Sequence, residues 1–372
     1  MLKIGIDIRD LRIAKTGART YLEELVREFK LLEDAELRFY FFDTHFPVYT
    51  GKNKFLKLIE HIRFIGWKQL ILPIKAWLHG CDIVFCSDFF VPYIHLGYET
   101  VPVLHDAFFF EYPEHYNKAW LFLFKYFGIS SAKRAYRIIT PTDYTKETIA
   151  KLSGIPKEKI LAIPEGPKTL IKDAIPVDTS SIPVLQQKYL LHVGTMEIRK
   201  NIVRLLEAFI LVLNDDPELK LVLIGQFSPK TDMDDKVAIQ NFIALHQLEE
   251  QVIFPGYVPD GLLGTYYSKA LLYIFPSINE GFGIPILEAF DHQLPVLIAN
   301  NSCLPEVGGD AVISFDPFNV QDIYKKITLL LNNPQKRMEL IEKGNQRLSE
   351  FSWKITALEL VKIFKKSKLE KK

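Results

Sequence analysis

The chain has 372 residues, of which 48% are hydrophobic and 24% are charged, and its formal net charge is +1. This length fits two domains better than a single core, and the charge balance excludes the overall basic field of a nucleic-acid-binding protein. No apolar run reaches the roughly 18 residues of a transmembrane helix, and residues 1–7 favour a first strand over a signal peptide.

Apolar, β-prone runs alternate with segments of helical periodicity along almost the whole sequence. One such segment places Ile202, Leu205, Leu206, Phe209 and Leu213 on a single helical stripe. This alternation predicts two α/β domains with largely parallel sheets. The predicted strands are, in chain order, Ile4–Ile8, Leu37–Phe42, Ile83–Cys86, Val101–Leu104, Arg137–Thr140, Ile160–Ile163, Tyr189–Val193, Leu219–Ile224, Gln251–Phe254, Leu271–Phe275 and Val296–Ala299.

The segment from Pro164 to Gln187 is rich in proline and lacks sustained periodicity, so it predicts the domain boundary. Ligands of open parallel sheets bind beyond the carboxyl ends of the strands, so two such domains that face each other would form a ligand-binding cleft. The three cysteines, Cys81, Cys86 and Cys303, have no metal-binding spacing, and we expect reduced thiols in a cytoplasmic protein.

Two positions in the first half are candidate ligand contacts. Gly17 stands at the entrance to a predicted helix, where a glycine lets the backbone approach a ligand closely, although a plain turn is the alternative. His105 and Asp106 follow the strand Val101–Leu104 at its carboxyl end. A histidine there can exchange hydrogen bonds with a sugar hydroxyl, and the aspartate can fix an acceptor. A structural His-Asp pair is the alternative.

Residues 52–78 mix basic and large apolar side chains. The pattern leaves open an amphipathic helix that lies on a membrane surface and a core helix with a solvated basic face. The basic residues are Lys52, Lys54, Lys57, Arg63, Lys68 and Lys75, and the apolar residues include Phe55, Leu58, Ile62, Phe64, Ile65, Trp67, Leu70 and Ile71.

Arg199 and Lys200 lie between a strand that ends at Gly194 and a helix that begins near Asn201. Two adjacent cations at a helix N-terminus suit a diphosphate, because both their charge and the backbone N–H groups point towards it. A solvated Arg-Lys pair is the alternative, and the spacing of a P-loop is absent.

Glu280 and Glu288 stand eight positions apart in a strand-to-helix connection that contains Gly281-Phe282-Gly283. Pro285 fits the first turn of the helix, so Glu280 belongs to the loop and Glu288 lies about one turn inside. The N–H groups of the helix start favour an anion or a hydroxyl-rich ligand. The pair predicts a nucleotide-sugar site, whereas two solvated surface glutamates are the alternative.

Taken together, these segments resemble the family-4 retaining glycosyltransferases, also called glycosyl transferases group 1. The resemblance covers nearly the whole chain and is closest in style to mannosyltransferases. It rests on Gly5-Ile6-Asp7-Ile8-Arg9 with Thr16-Gly17, Val103-Leu104-His105-Asp106, Arg137–Thr142, Ile163–Gly166, Arg199-Lys200-Asn201, Gly256-Tyr257-Val258, Glu280 to Glu288, Leu304–Val307 and Phe351-Ser352-Trp353.

The resemblance implies the GT-B fold, in which two Rossmann-like α/β domains face each other across a cleft. The acceptor-binding domain would span 1–170, with residues 354–372 crossing back to it. A linker at 171–187 would lead to a nucleotide-sugar-binding domain at 188–353. The implied reaction moves a hexose, mannose being favoured, from a nucleoside diphosphate sugar to a glycan or lipid-linked hydroxyl with retention. The donor would be GDP-mannose or a UDP-hexose, used in bacterial surface polysaccharide synthesis.

The resemblance also implies roles for individual residues, with no metal ion and a location in the cytoplasm or on the inner face of the membrane. The implied catalytic residues are His105, Asp106, Arg199, Lys200 and Glu280. The implied donor-binding residues are Gly17, Gly194, Thr195, Arg199, Lys200, Tyr257, Val258, Glu280, Gly281, Phe282, Gly283, Ile284 and Glu288. The one Asp-x-Asp sequence, Asp232 to Asp234, is interpreted as solvated surface.

Three positions depart from the family pattern. Gly17-Ala18-Arg19-Thr20 stands where the family often has Gly-Ile-Gly-Arg, so the second small residue is missing. Thr195 stands where many members have arginine, and Glu165 stands where many have asparagine. Without that arginine, diphosphate binding rests on Arg199 and Lys200. Two alternative functions remain at this point, a nucleotide-sugar epimerase of the same fold and a catalytically silent partner subunit.

Overall fold

The computed structural model describes residues 1–14, 17–44, 46–49, 51, 53–115, 118–170, 182–227 and 234–370. The chain divides into two compact units, one formed by Met1–Glu165 with Ser352–Lys372 and the other by Gly166–Phe351. The expected linker at 171–187 lies outside the described residues as far as 181, and so does Asp232 of the Asp-x-Asp sequence. The chain end therefore belongs to the first unit.

The first unit has six short strands, all in parallel pairs, and a set of flanking helices. The strands are β1 (Leu2–Asp7), β2 (Leu37–Phe42), β3 (Ile83–Cys86), β4 (Glu99–Pro102), β5 (Ile138–Thr140) and β6 (Ile160–Ala162). The helices are α1 (Gly17–Leu31), α2 (Lys54–Gly66), α3 (Leu72–Leu78), α4 (Phe108–Glu111), α5 (Lys118–Leu123), α6 (Ile129–Arg134), α7 (Asp143–Ser153) and α15 (Trp353–Glu370).

The sheet order of this unit is β2-β1-β3-β4, and a parallel bridge between Val103 and Ile139 continues it to the β5-β6 pair. Helices α2 and α3 are joined by a π-helical turn, Trp67–Ile71. Helix α15 packs on α1 through its buried aromatic residues, with the ring centroids of Tyr21 and Trp353 5.5 Å apart. This apolar face explains why the chain end belongs to the first unit.

The second unit is a six-stranded parallel sheet of order β12-β11-β10-β7-β8-β9. Its strands are β7 (Tyr189–Val193), β8 (Lys220–Ile224), β9 (Val252–Gly256), β10 (Leu272–Phe275), β11 (Val296–Ala299) and β12 (Val312–Phe315). Its helices are α8 (Ile202–Leu213), α9 (Lys236–Leu245), α10 (Asp260–Lys269), α11 (Ile284–Asp291), α12 (Leu304–Gly308), α13 (Val320–Leu331) and α14 (Pro334–Leu348).

The strand order of the second unit reverses between β7 and β10, which pair directly. From β7 the chain proceeds to β8 and β9 on one side, and from β10 to β11 and β12 on the other. Such a reversal opens a crevice beyond the carboxyl ends of the two central strands, which is where ligands of open α/β sheets bind.

The eleven predicted strands are all present, with bounds within two residues of those expected. The sequence analysis missed β12, a short strand at the sheet edge whose residues, apart from Phe315, are not fully buried. Helix α8 forms on the predicted stripe and buries Ile202, Leu205, Leu206 and Phe209. The two parallel α/β units therefore confirm the predicted fold class.

Candidate active site

The crevice of the second unit lies between the loops that follow β7 and β10. Gly194 and Thr195 continue directly from β7, and the loop after β10 leads to Glu280. The N–H of Ile278 donates to the carbonyl of Arg199 at 2.8 Å, which ties the two loops together. The topology therefore brings two segments about eighty positions apart to one place at the sheet edge.

Arg199 and Lys200 both contact the carboxylate of Glu280. Arg199 Nη1 lies 2.8 Å from Glu280 Oε2, its Nε lies 2.8 Å from Glu197 Oε2, and Lys200 Nζ contacts Glu280 Oε1. The Lys200 ammonium also lies 5.0 Å from the centre of the Phe275 ring, in a cation–π arrangement. Glu280, which is predicted to bind the sugar, therefore forms one ion-pair cluster with the two cations that are predicted to bind the diphosphate.

The Glu280 carboxylate of this cluster stays ionised at neutral pH because of its two cations. Burial acts to raise the pKa of Glu280, but Arg199 and Lys200 outweigh it and lower the pKa to about 2. Burial and the neighbouring Arg199 lower the pKa of Lys200, against the opposing effect of Glu280. A bound diphosphate would bring its own negative charge and compete with Glu280 for both cations, which would release the carboxylate towards sugar hydroxyls.

The loop between the two glutamates ends in a glycine that the backbone requires. Gly283 has φ +102° at the start of α11, and a Cβ there would lie 3.1 Å from Leu304 and 3.2 Å from Phe275. The preceding Phe282 is buried, with its ring 5.8 Å from that of Phe351. Ile284 begins α11, and its side chain is buried, so this turn is fixed by packing on both sides.

Glu288 lies one turn inside α11 and is buried. Tyr267 donates its hydroxyl to Glu288 Oε2 at 2.7 Å, and no hydrogen bond to Oε1 is found within the described part of the chain. Burial raises the pKa of Glu288, against the opposing effects of Tyr267 and Lys168. One carboxylate oxygen is therefore held by the protein while the other is left for the ribose contact that the sequence predicts.

Tyr257 and Val258 follow β9 and a glycine with φ +74°, Gly256. The Tyr257 side chain is 66% exposed, whereas Val258 is buried. Of the two residues expected beside the nucleobase, Tyr257 alone presents its side chain at the surface.

The other predicted residues, His105, Asp106 and Gly17, belong to the first unit. His105 and Asp106 line a cavity of about 320 Å³ together with Ala18, the second residue of α1. Asp106 accepts the N–H of Phe108, the first residue of the short helix α4, at 3.0 Å. The predicted site residues therefore form two clusters, one in each unit.

His105 directs both ring nitrogens at protein acceptors. Nδ1 lies 3.3 Å from Glu165 Oε1, and Nε2 lies 3.0 Å from the carbonyl oxygen of Ser87. A carboxylate and a carbonyl oxygen both accept hydrogen bonds, so this environment favours the doubly protonated ring. Burial acts to lower the pKa of His105, but the Glu165 carboxylate outweighs it and raises the pKa. A contact with the transferred sugar would require one of these partners to give way.

We expect Glu165→Gln to lower the pKa of His105 and to destabilise the protein by about 1.5–3 kcal/mol near pH 6. The raised pKa means that the pair stabilises the fold fully below the unfolded pKa of histidine, and that this stability is lost as pH rises through the folded pKa. Unfolding measured between about pH 6 and pH 9 should show a gap between variant and wild type that narrows towards high pH.

The exposed Glu147, which pairs with Lys157 at the surface, supplies the control, since Glu147→Gln should leave stability nearly unchanged across the same range. Parallel curves for Glu165→Gln and the wild type would contradict a charged His105.

Two carboxylates that line the same cavity as His105, Asp10 and Asp88, were assigned no role from the sequence. Asp88 follows the carboxyl end of β3, so the rule that selected His105 after its strand applies to it equally. Glu165 was noted as a departure from the family pattern, but its contact with His105 joins residues 60 positions apart, for which no local signal exists.

The fold and the switch-point cluster together define a class of protein. Two Rossmann-like parallel units, one with paired cations and two glutamates at its switch point, are the architecture of a GT-B glycosyltransferase. Cations and helix starts suit the diphosphate of an activated sugar, and buried carboxylates suit its hydroxyls.

Comparison with known proteins confirms this class. The model of Glycosyltransferase Family 4 matches residues 16–169, and that of glycosyl transferases group 1 matches residues 179–347. The chain is 30% identical to the O-antigen chain mannosyltransferase B of Escherichia coli over 98% of this chain and 100% of that one. It is 25% identical to the O-antigen chain mannosyltransferase RfbU of Salmonella typhimurium, over 82% and 78% of the two chains.

Among solved structures, HepE of Anabaena in complex with UDP and glucose aligns with a TM-score of 0.72 at 17% identity, over 98% of this chain and 100% of that one. This likeness shows the shared GT-B fold. The chain belongs to the family-4 glycosyltransferases, and it is a hexosyltransferase. The comparisons support this function over the epimerase and the silent subunit.

Proposed function

We propose that this enzyme transfers mannose from a nucleoside diphosphate mannose to a hydroxyl of a growing bacterial surface polysaccharide, with retention at the anomeric carbon. The observation that carries the proposal is the Arg199–Lys200–Glu280 cluster at the switch point, beside the start of α11. The choice of mannose is supported by relatives whose names describe O-antigen mannosyltransferases. GDP-mannose is the first candidate donor, and a UDP-hexose is the second because a fold neighbour was solved with UDP.

The proposed chemistry depends on charge that develops as the donor bond breaks. The leaving diphosphate gains negative charge, which we propose that Arg199 and Lys200 stabilise without a metal ion. Glu280 then holds hydroxyls of the sugar, and Glu288 holds the ribose through the oxygen that Tyr267 leaves open. Gly281 and Gly283 keep the backbone of the intervening turn free to approach the donor.

The decisive experiment for this proposal is a donor panel. Thermal unfolding is measured with GDP-mannose, UDP-glucose, GDP and UDP, since a ligand that binds the folded state raises Tm by mass action. The stabilising donor is then incubated with a panel of octyl glycosides, and the anomeric configuration of the product is read by NMR. Stabilisation by GDP-mannose and an α-linked mannoside product support the proposal. An inverted product, or conversion of donor without acceptor to its epimer, would overturn it.

We also propose that residues 54–78 place the enzyme on the inner face of the membrane. Helix α2, the π-helical turn and α3 follow one another without a break. Trp67 and Leu72 are buried, but most of the other large apolar side chains are exposed. We call this set the exposed apolar face, and its members are Phe55, Leu56, Leu58, Ile59, Ile62, Ile65, Leu70, Ile71, Ile74, Trp77 and Leu78.

The polar side chains of this segment support a surface location. Lys54 and Lys57 are exposed beside the exposed apolar face, which complements anionic lipid. Lys68, which the sequence analysis counted among the basic residues of a solvated face, is instead buried and paired, and Lys52 lies outside the described residues. Across the described ranges no helix is both long and apolar enough to cross a bilayer.

Vesicle sedimentation tests the membrane proposal. We expect the wild type to sediment with vesicles that contain phosphatidylglycerol, less with phosphatidylcholine alone, and less again at high salt. Ile62→Asp with Trp77→Asp should lower the partition at least about tenfold, because two large apolar groups no longer enter the interface. Leu245→Asp, at an equally exposed leucine of the second unit, is the matched control and should change nothing. Equal sedimentation of both variants would remove the proposal.

A further inference from the structure

The cavity of the first unit has an apolar and an acidic wall. Phe89, Phe109 and Phe110 supply aromatic surface, and Asp10 and Asp88 supply carboxylates. Its volume of about 320 Å³ lies within the range of small-molecule sites, which combine apolar and aromatic walls with a few placed polar groups. An aromatic wall that faces hydroxyl acceptors suits a sugar ring, which has C–H faces and an equator of hydroxyls.

The buried Lys68 forms ion pairs with two aspartates, one of which lines this cavity. Lys68 Nζ lies 2.7 Å from Asp88 Oδ1 and 2.8 Å from Asp7 Oδ2, with the lysine side chain only 1% exposed. The other oxygen of Asp7 accepts the indole N–H of Trp67 at 3.0 Å. An ammonium is costly to remove from water, so this placement requires the two carboxylates that compensate it.

The pairing leaves acceptor capacity that faces the cavity. No hydrogen bond to Asp88 Oδ2 or to the carboxylate of Asp10 is found within the described ranges. Both residues are half-buried, with the Asp88 side chain 20% exposed, so these oxygens are accessible to a ligand in the cavity. Burial raises the pKa of Asp88 to about 7, against the opposing effect of Lys68, and it also raises the pKa of Asp10. Carboxyl oxygens accept hydrogen bonds in both protonation states, so these two residues favour hydrogen-bond donors such as hydroxyls.

The lysine comes from an unusual stretch of helix. Lys68 lies in the π-helical turn Trp67–Ile71, between the two halves of the exposed apolar face. Single π-helical turns inside α-helices often occur at functional sites. One helical segment therefore presents apolar side chains outwards and, on its inner side, the cation that holds Asp88.

We propose that Asp88 and Asp10 form the hydroxyl-binding wall of an acceptor-sugar site in this cavity, and that Lys68 is the positioning residue that holds Asp88. The inference rests on the proposed glycosyltransferase function and adds the residues that select the acceptor. Each open carboxylate oxygen accepts a sugar hydroxyl, and the phenylalanines cover one face of the ring. The acceptor sugar then lies beside the segment that meets the lipid, as a lipid-linked acceptor requires.

The test compares acceptor kinetics with donor binding. The acceptor is the octyl glycoside that the wild type uses fastest among mannose, glucose, galactose and N-acetylglucosamine. We expect Asp88→Asn and Asp10→Asn each to raise KM for this acceptor at least tenfold, with the donor-induced rise in Tm unchanged. Acceptor KM is then measured with deoxy analogues that each lack one hydroxyl. The hydroxyl that contacts the aspartate is the one whose removal raises KM for the wild type but not for the variant.

Lys68 is tested by a conservative pair. Lys68→Arg should keep most acceptor affinity, whereas Lys68→Met should raise the acceptor KM as Asp88→Asn does. Loss of the buried cation in Lys68→Met also weakens the fold, so the proposal is judged on the acceptor KM of Asp88→Asn. Asp143→Asn, an exposed aspartate at the start of α7, is the control. Unchanged acceptor KM in both aspartate variants would overturn the inference, whereas absence of transfer and of donor binding in the wild type would instead overturn the proposed function.

Discussion

Lys200→Ala and Glu280→Ala are each expected to lower kcat/KM for sugar transfer by roughly 30- to 900-fold, about 2–4 kcal/mol. Lys200 is nearly buried, so its ammonium acts in a medium where charge on the leaving diphosphate is stabilised strongly. Glu280 is expected to hold sugar hydroxyls once the diphosphate has taken its place beside the cations.

The two variants should differ in nucleotide binding. Without Lys200 a single cation is left for the diphosphate, so GDP or UDP should bind more weakly. Without Glu280, Lys200 loses its carboxylate partner and Arg199 keeps that of Glu197, so the free nucleoside diphosphate should bind at least as tightly while transfer still fails. Calorimetric titration with GDP and UDP measures this split, and Lys269→Ala at an exposed lysine of α10 is the control.

The double variant tests whether the residues act as one unit. Groups in direct contact lose activity non-additively, so the double variant should be little worse than the more damaged single one. Near-normal turnover of the double variant would remove the cluster from the mechanism.

The sequence could predict the fold and the candidate residues at the ends of its strands because both depend on local signals. The strands are short apolar runs, and a glycine and a proline indicate the start of helix α11. Combined with the rule that ligands bind at the carboxyl ends of parallel strands, these signals were enough to select Gly194, His105 and Glu280. Family resemblance then gave their expected roles.

The pairing of charges could not be predicted, because it depends on contacts between distant segments. Arg199 and Lys200 were expected to face a diphosphate, and their contact with Glu280 spans about eighty positions. The burial of Lys68 within residues 54–78 is a second contact that could not be predicted. Periodicity marks the apolar side chains, yet Lys68 is buried only because Asp7 and Asp88 come from two different strand ends.

Gly225→Ala is expected to destabilise the second unit by about 3–5 kcal/mol, and so to lower Tm by roughly 10 °C or more. Gly225 follows β8 with φ +141°, a conformation that residues with a side chain rarely adopt. A Cβ at this position would lie only 1.8 Å from the carbonyl oxygen of Gly194. The backbone of one or both glycines must therefore move.

Two further glycines separate the causes of this loss. Gly256 has φ +74° but no atom within 4 Å of its would-be Cβ, so Gly256→Ala should cost about 1–2 kcal/mol from strain alone. Gly66 is helical and also has no atom within 4 Å, so Gly66→Ala should be neutral or stabilise by up to about 1 kcal/mol. Equal losses at Gly225 and Gly256 would show that the contact with Gly194 contributes nothing.

The same contact links stability to the donor site. Gly194 donates its N–H to the carbonyl of Ile224 at 2.9 Å and leads into Thr195, at the start of the loop that presents Arg199 and Lys200. If the methyl group added at position 225 displaces Gly194, donor binding should weaken at temperatures where the variant is still folded. The rise in Tm on adding the stabilising donor should then be smaller for Gly225→Ala than for Gly256→Ala. If the donor raises Tm equally in both variants, the strain at position 225 is relieved by movement towards β8 and not by movement of the Gly194 loop.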